Sequence, residues 1–329
     1  MTDQAFDAFI VEETADRQYR GSVKHARIQD LPEGDVLIRV RYSSLNFKDA
    51  LSASGNKGVT RNYPHTPGID AAGIVEKSNT PDVTPGDPVI VTSYDLGMNT
   101  AGGFGQYIRV PADWVVPLPG GLTLKESMIL GTAGFTAAMS VEKIADIPAS
   151  AGPVLVTGAT GGVGSLAVAI LARLGYTVTA VSGKPEADFL THLGASEIIP
   201  RQTFLEGAKA PILKTRWAAV IDTVGGDILA TAIKSTQAWG KVTCCGLVAS
   251  PDLPITVFPF ILRGVSLHGI DSQHYPKAPR LALWKNLAHD WKPDSLGEMA
   301  TLIFLDQLNP AIENMLKGRL KGRTVVDLG

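Results

Sequence analysis

The sequence predicts an α/β protein with two parts, one β-rich and barrel-like, the other a nucleotide-binding fold built from βαβ units. Three observations predict it. Residues 1–120 hold several short apolar strands punctuated by Gly and Pro. Around Thr123 the apolar period changes from that of strands to that of helices. The chain then reads "GPVLVTGATGGVGSLAVAILARLGYTVTAVSGK": an apolar strand, a glycine turn, a long apolar-faced helix ending at Gly175, and a second strand.

In "DVLIRVRYSSL", Val36, Ile38, Val40 and Tyr42 alternate with Leu37, Arg39 and Arg41, the period-two pattern of a strand. "GIDAAGIVEKS", "GDPVIVTS" and "GGFGQYIRV" are further short strands, and "VPLPGGLT" closes the region. A helical turn follows "SSLNFKDALS", with Asn46 able to cap it. Thr123 and Glu126 stand at capping-box spacing, and "FTAAMSVEKIADI" continues as helix. "AAVIDTVGG", "GKVTCCGLVAS" and "GVSLHGID" add strands, "APRLALWKNLAHD" a helix and "GRTVVDLG" a last strand.

The chain has 329 residues, 45% of them hydrophobic, enough for two domains with real cores. A net charge of −2 argues against nucleic acid as a partner. No run comes near the ~20 apolar residues of a membrane span. The acidic start "MTDQAFDAFIVEETADRQYR" lacks a basic-then-apolar leader pattern, so a soluble, cytoplasmic protein is expected. Cys244 and Cys245 are the only cysteines. Adjacent Cα atoms lie about 3.8 Å apart, too close for an ordinary disulfide, and two neighbouring thiols make a poor zinc site.

In the glycine turn, Ala159, Gly161 and Gly164 match A-x-G-x-x-G, with Gly158 and Gly162 loosening it further. Small residues are needed where the chain turns sharply, presents N–H groups to a pyrophosphate and packs helix close to strand. The context of strand, turn and helix supports the match. At the end of the second strand, many NAD-binding folds place an acid that accepts from the ribose 2′-hydroxyl. "AVSGK" offers Ser182, Gly183 and Lys184 instead, and Arg201 follows the next strand-like run. A hydroxyl donor and two cations suit a 2′-phosphate, which an acid would repel. The cofactor expected from these residues is NADPH.

The chain resembles the medium-chain dehydrogenase/reductase superfamily in its zinc-free, quinone-oxidoreductase-like branch, and within it the NADPH-dependent acrylyl-CoA reductases. The resemblance rests on "LPEGDVLIRVRYSSLNFKDALS", "PHTPGIDAAGIVEKS", "GTAGFTAAMSVE", "LGASEIIPR", "CCGLVAS", "LPITVFPFILRGVSLHGIDS" and "KGRTVVDL", besides the glycine turn, in the family's order along almost the whole chain. It implies a GroES-like β-barrel catalytic domain from both chain ends, residues 1–126 and 271–329. A doubly wound Rossmann domain, 127–270, is inserted between them, with the active site in the cleft. It implies cofactor contacts at Phe47, at Thr160, Gly161, Gly162 and Val163, at Ser182, Gly183, Lys184 and Arg201, and at Leu247, Ile261, Ser272 and Gly318. Gly318 replaces the usual Asn, and Phe47 replaces a frequent Tyr, so Phe47 has no hydroxyl to donate. A homodimer through the sheet edge at "GVSLHGID" is likewise implied.

Zinc-dependent members place Cys where this chain has Asn46, and His-Glu where it has Ile69-Asp70. A lone His65 lacks partners, so no metal is expected. The resemblance then implies hydride transfer to an alkene activated by a carbonyl, most directly acrylyl-CoA to propanoyl-CoA. Asn46 and Lys48 are candidate donors to the enolate, with Asp49 orienting them. The same residues also read as a plain helix start, with Asn46 as cap and Asp49 favoured by the dipole. Arg323, Arg61 and Lys57 are candidate cations for the CoA phosphates. A quinone or enone reductase, and a non-catalytic NADPH-binding protein, are the competing readings.

Overall fold

The computed structural model describes residues 4–329; Met1, Thr2 and Asp3, the start of the stretch read above for a leader, lie outside the described residues. The chain opens with strands β1 (Ala5–Glu13) and β2 (Tyr19–Arg27), then β3 (Val36–Ser44), helix α1 (Phe47–Ala53), β4 (Asp70–Ser78), β5 (Pro88–Thr92), β6 (Tyr107–Val110) and β7 (Val116–Pro117). α2 (Leu124–Ile144) leads to β8 (Val154–Thr157), α3 (Gly162–Arg173), β9 (Val178–Ser182), α4 (Ala187–His192), β10 (Ala195–Pro200) and α5 (Arg201–Phe204). β11 (Trp217–Asp222), α6 (Gly226–Lys234), β12 (Thr236–Cys244), α7 (Phe258–Arg263) and β13 (Ser266–Gly269) follow. α8 (Lys277–Ala288), β14 (Ala300–Phe304), α9 (Leu308–Leu316) and β15 (Arg323–Asp327) complete the chain. Among the described residues no helix is long and apolar enough to cross a membrane.

Two compact units result, one of residues up to 132 with 272–288 and 296–329, the other of 133–271 with 289–295. The sequence reading placed all of 271–329 in the first. Residues 289–295 group with the second instead, where Arg173 of α3 reaches Asp294 at 2.9 Å.

The first unit is a seven-stranded sheet in the order β14-β15-β3-β4-β5-β7, with β6 also paired to β3. β3 shows how sequence becomes structure here. Val36, Ile38 and Val40 enter the main core beside Val89, Val91, Ile108 and Val326. Arg39, on the other face, is exposed, whereas Leu37 beside it is buried in a small cluster with Phe6, Ala8 and Tyr107. The hairpin of β1 and β2 supplies that cover.

The second unit is a six-stranded parallel sheet in the order β10-β9-β8-β11-β12-β13. This is the doubly wound order, in which ligands gather at the carboxyl ends of the strands beside the reversal between β8 and β11. Its central strands are continuous apolar runs because both faces are covered.

Candidate active site

In the second unit, β8 ends at Thr157 and the chain turns through Gly158, whose φ is 60°. Such a backbone favours Gly, and a Cβ there would also sit 2.3 Å from the Thr223 hydroxyl. At Gly164 a Cβ would meet the Gly158 carbonyl oxygen at 2.3 Å, so α3 starts close against the turn only because position 164 is bare. The turn is held from below. Thr157 Oγ1 donates to Asp222 at 2.6 Å, and Asp222 accepts the N–H groups of Val224 and Gly225 at 3.1 and 2.8 Å. Burial raises the Asp222 pKa against these bonds. Thr160, Gly161, Gly162 and Val163 thus occupy a preformed turn running into the first residues of α3.

At the end of β9 the three residues expected for the 2′-phosphate, Ser182, Lys184 and Arg201, lie around Gly183. Ser182 Oγ lies 3.3 Å from Thr160 Oγ1 and accepts the Lys184 N–H at 3.0 Å. The Arg201 guanidinium lies across Gly183, where a Cβ would be 2.6 Å from it. Gly183 is therefore the residue that admits Arg201, a role its place in the sequence did not disclose. Burial and the Arg201 charge lower the Lys184 pKa, with Glu186 opposing between them in strength. These residues fit the phosphates of a dinucleotide. A cavity of about 540 Å³ opens at the ends of β11 and β12, lined by Gly225, Cys244, Gly246, Leu247 and Ile270. Burial, then Asp222, raises the pKa of both thiols, Cys244 and Cys245. Leu247 and Ile261 are 62% and 68% exposed, apolar side chains left for contact.

In the first unit the expected residues Asn46, Phe47, Lys48 and Asp49 do form a helix start, that of α1. Phe47 is 36% exposed, Asp49 fully buried. Asp49 accepts the N–H groups of Asn46 at 2.7 Å, Ile69 at 2.8 Å and Gly68 at 3.2 Å. Burial, then the neighbouring Asp70 charge, pushes its pKa up to about 7 despite those bonds. Asn46 is a correction. Its amide donates to Asp70 at 2.7 Å and to the Ser44 carbonyl at 3.2 Å, and its oxygen accepts from Arg323 at 3.2 Å. With both amide hydrogens committed, Asn46 has none for an enolate. Lys48 is half-buried and donates to Gln273 at 2.9 Å.

Arg323 is the second correction. It is 3% exposed and donates to Ile129 O at 2.9 Å and Ser44 Oγ at 2.9 Å, besides Asn46. It faces Asp70 at 3.9 Å and cannot serve as a surface cation for CoA. Arg61 is exposed. Lys57 donates to Glu13 at 3.1 Å and lies over the rings of Tyr19 and Tyr63. Gly318, with a φ of 65°, has open space beside it. It shares the first unit with Phe47 and Ser272.

Sequence reasoning missed what holds this cluster. Asp70 accepts Ser44 Oγ at 2.6 Å and both the N–H and the hydroxyl of Thr132, at 2.9 and 2.6 Å. α2 breaks at Gly131 (φ 51°) to deliver Thr132. A Cβ at Gly131 would lie 2.5 Å from Asp70 Oδ2 and 2.7 Å from Ser44 Oγ. The first glycine of "GTAGFT", Gly131, is the available signal.

Comparison with known proteins matches residues 32–120 to the alcohol dehydrogenase GroES-like domain and residues 162–285 to the zinc-binding dehydrogenase family. Acrylyl-CoA reductase AcuI of Ruegeria pomeroyi is 44% identical over 98% of this chain and 99% of its own length. YhfP of Bacillus subtilis, provisionally named a quinone oxidoreductase, is 45% identical over 98% of this chain and 99% of its own. Its crystal structure, with NAD bound, superposes with a TM-score of 0.95 over 99% of this chain and 100% of that one. The yhdH oxidoreductase of Salmonella enterica, in complex with NADP, is 42% identical, with a TM-score of 0.95 over 98% of this chain and 100% of that one.

Proposed function

This chain belongs to the medium-chain dehydrogenase/reductase superfamily, and from that premise we propose that it uses NADPH to reduce the C=C bond of a short 2-enoyl thioester, acrylyl-CoA to propanoyl-CoA. The observation that carries this reading is the 44% identity to an acrylyl-CoA reductase over 98% of the chain. Ser182, Lys184 and Arg201 would hold the 2′-phosphate and Thr160 to Val163 the pyrophosphate. Leu247 and Ile261 of the second unit, and Phe47, Ser272 and Gly318 of the first, are the further cofactor contacts that the resemblance implies.

The zinc in one family name does not fit the residues present. Asn46 and Ile69 replace thiolate and imidazole, and the Arg323 guanidinium lies 3.9 Å from Asp70. The acceptor must therefore carry its own activation. When bound, NADPH supplies a hydride to the β-carbon of such an alkene. Lys48 answers the negative charge that develops on the carbonyl oxygen. Asn46 and Asp49 hold the start of α1, the helix that carries Lys48. Phe47 has no proton to give, and this reading takes water as the source of the α-carbon proton. Arg61 and Lys57 remain candidates for the CoA phosphates.

A panel of acceptors with NADPH tests the reading. A free carboxylate opposes enolate formation by its own charge, while a thioester accepts it and brings the CoA handle as binding energy. Acrylyl-CoA should be reduced far faster than acrylate or a simple quinone. Comparable kcat/KM on acrylate would sink the proposal. Faster turnover of a quinone would favour the second reading, to which the YhfP name lends support.

Two further proposals concern assembly and place. β13 is an edge strand, and Val257 and Leu262 nearby are 61% and 65% exposed. A second copy pairing along β13 would cover this edge. A monomeric mass by light scattering would refute the dimer. The free thiols suit a reducing compartment such as the cytoplasm; export of the tagged native protein would refute that.

A further inference from the structure

Arg280 of α8 is fully buried in the first unit. Its guanidinium lies 4.3 Å from the centre of the Tyr94 ring, which stacks in turn on Trp114. Nη1 donates to the Thr92 carbonyl at 3.2 Å. Nη2 donates to the carbonyls of Ser272 at 2.9 Å and Tyr275 at 3.3 Å. One planar group thus ties the last residue of β5 to both ends of the loop Ser272–Tyr275. Within that loop, Gln273 Oε1 takes the bond from Lys48.

The other end of the arrangement returns to Lys48 by a different route. After Thr92, Ser93 and Tyr94 adopt φ of 65° and 51°, a conformation that non-glycine residues keep only when their surroundings impose it. Ser93 Oγ lies 2.9 Å from Thr132 Oγ1, which donates to Asp70, which accepts from Asn46, two residues before Lys48. Lys48 is thereby fixed from both sides. Its backbone is held through Asn46, and its ammonium is held through Gln273 and the loop that Arg280 clamps. A lysine has a long flexible stem, and its head is placed only by what receives it.

We infer that Arg280 is a positioning residue for Lys48, acting through the Ser272–Tyr275 loop. The inference rests on the reading of Lys48 as donor to the acceptor oxygen. It does not depend on the thioester, since negative charge develops on oxygen in a reduced enoyl thioester or quinone alike. A lysine at 280 keeps the charge but lacks the planar fork that reaches Thr92, Ser272 and Tyr275 together.

The test is a double-mutant cycle on kcat, at saturating NADPH and acceptor, with Arg280→Lys, Lys48→Met and both. Thermal melts on each variant confirm that it is folded. In the wild type Arg280→Lys should lower kcat by about tenfold, the scale of a misplaced catalytic group. In the Lys48→Met background it should cost less than about twofold, because nothing remains to position. Equal losses in the two backgrounds would overturn the inference, since a merely structural arginine harms both alike. Unchanged kcat in Arg280→Lys or in Lys48→Met would overturn it as well. Should Arg280→Lys not fold, Gln273→Leu cuts the same connection nearer its end and is read by the same criteria. The acceptor is acrylyl-CoA, or a quinone if the wild type reduces only that. Failure of the substrate reading thus appears in the wild type, and failure of this inference only in the cycle.

Discussion

Arg323 and Arg201 look alike in the sequence, each a cation suited to a phosphate, and the structure gives them opposite surroundings. Arg323 is enclosed, donating to Ile129, Asn46 and Ser44 and facing Asp70. Arg201 is exposed and lies over the bare backbone of Gly183, next to Ser182 and Lys184. The difference teaches how to read a polar cluster. Where donors and acceptors consume one another, the cluster holds the fold and has nothing left for a ligand. Where small residues clear a space and a cation lies at the surface, the cluster is open to one.

The largest effect should come from breaking the closed cluster. Arg323→Met leaves the buried Asp70 carboxyl without the guanidinium beside it. Removing one partner of a buried pair typically costs about 3–5 kcal/mol, far more than the pair itself contributes. Denaturant unfolding should show a loss of that size. A loss near that of an exposed pair would mean that Asp70 is adequately held by Ser44, Asn46 and Thr132 alone, and that the contrast with Arg201 is overdrawn.

The open cluster should respond in affinity and hardly at all in stability. Arg201→Ala should weaken NADPH binding by about tenfold to a hundredfold, the range of one or two lost charge-assisted bonds. NADH, lacking the phosphate, should bind as before. Calorimetric titration of both nucleotides sharpens the comparison. An equal loss for both would show that Arg201 supports the fold of the loop instead of reading the phosphate.

What was legible in the sequence follows from how each feature is encoded. The parallel strands of the second unit are short apolar runs bounded by glycine, and the turn after β8 is built from consecutive small residues. The β1–β2 hairpin was missed for the opposite reason. Most of β2 is exposed, and even Val23 is 40% exposed, so no period-two pattern marks it. The buried cluster was invisible because its partners are far apart. Ser44 and Thr132 meet Asp70 across 26 and 62 residues, and side-chain pairing at such distances has no period. The sequence therefore names polar residues such as Asn46 and Arg323 but not the bonds each of them makes. Asn46 reads as a free donor and Arg323 as a surface cation, although the Asn46 amide donates to Asp70 and the Ser44 carbonyl, and Arg323 donates to Ile129, Ser44 and Asn46.

The smallest expected effect is none. A strong chelator should leave the rate unchanged, because the closed cluster is unsuited to a divalent metal on its own terms. Asp70 already accepts from Ser44, Asn46 and Thr132, so a metal would have to displace several short bonds. The guanidinium of Arg323 would stand close by. A dication about 4 Å from a unit positive charge is repelled by about 8 kcal/mol at an effective dielectric constant of about 20. Ile69 offers no ligand atom, and the Asn46 oxygen is engaged by Arg323. Dialysis against the chelator, followed by assay and elemental analysis, tests this directly. Stoichiometric zinc in the native protein, with activity lost on removal and restored on return, would show that the cluster opens to a ligand after all and would erase its contrast with the site around Arg201.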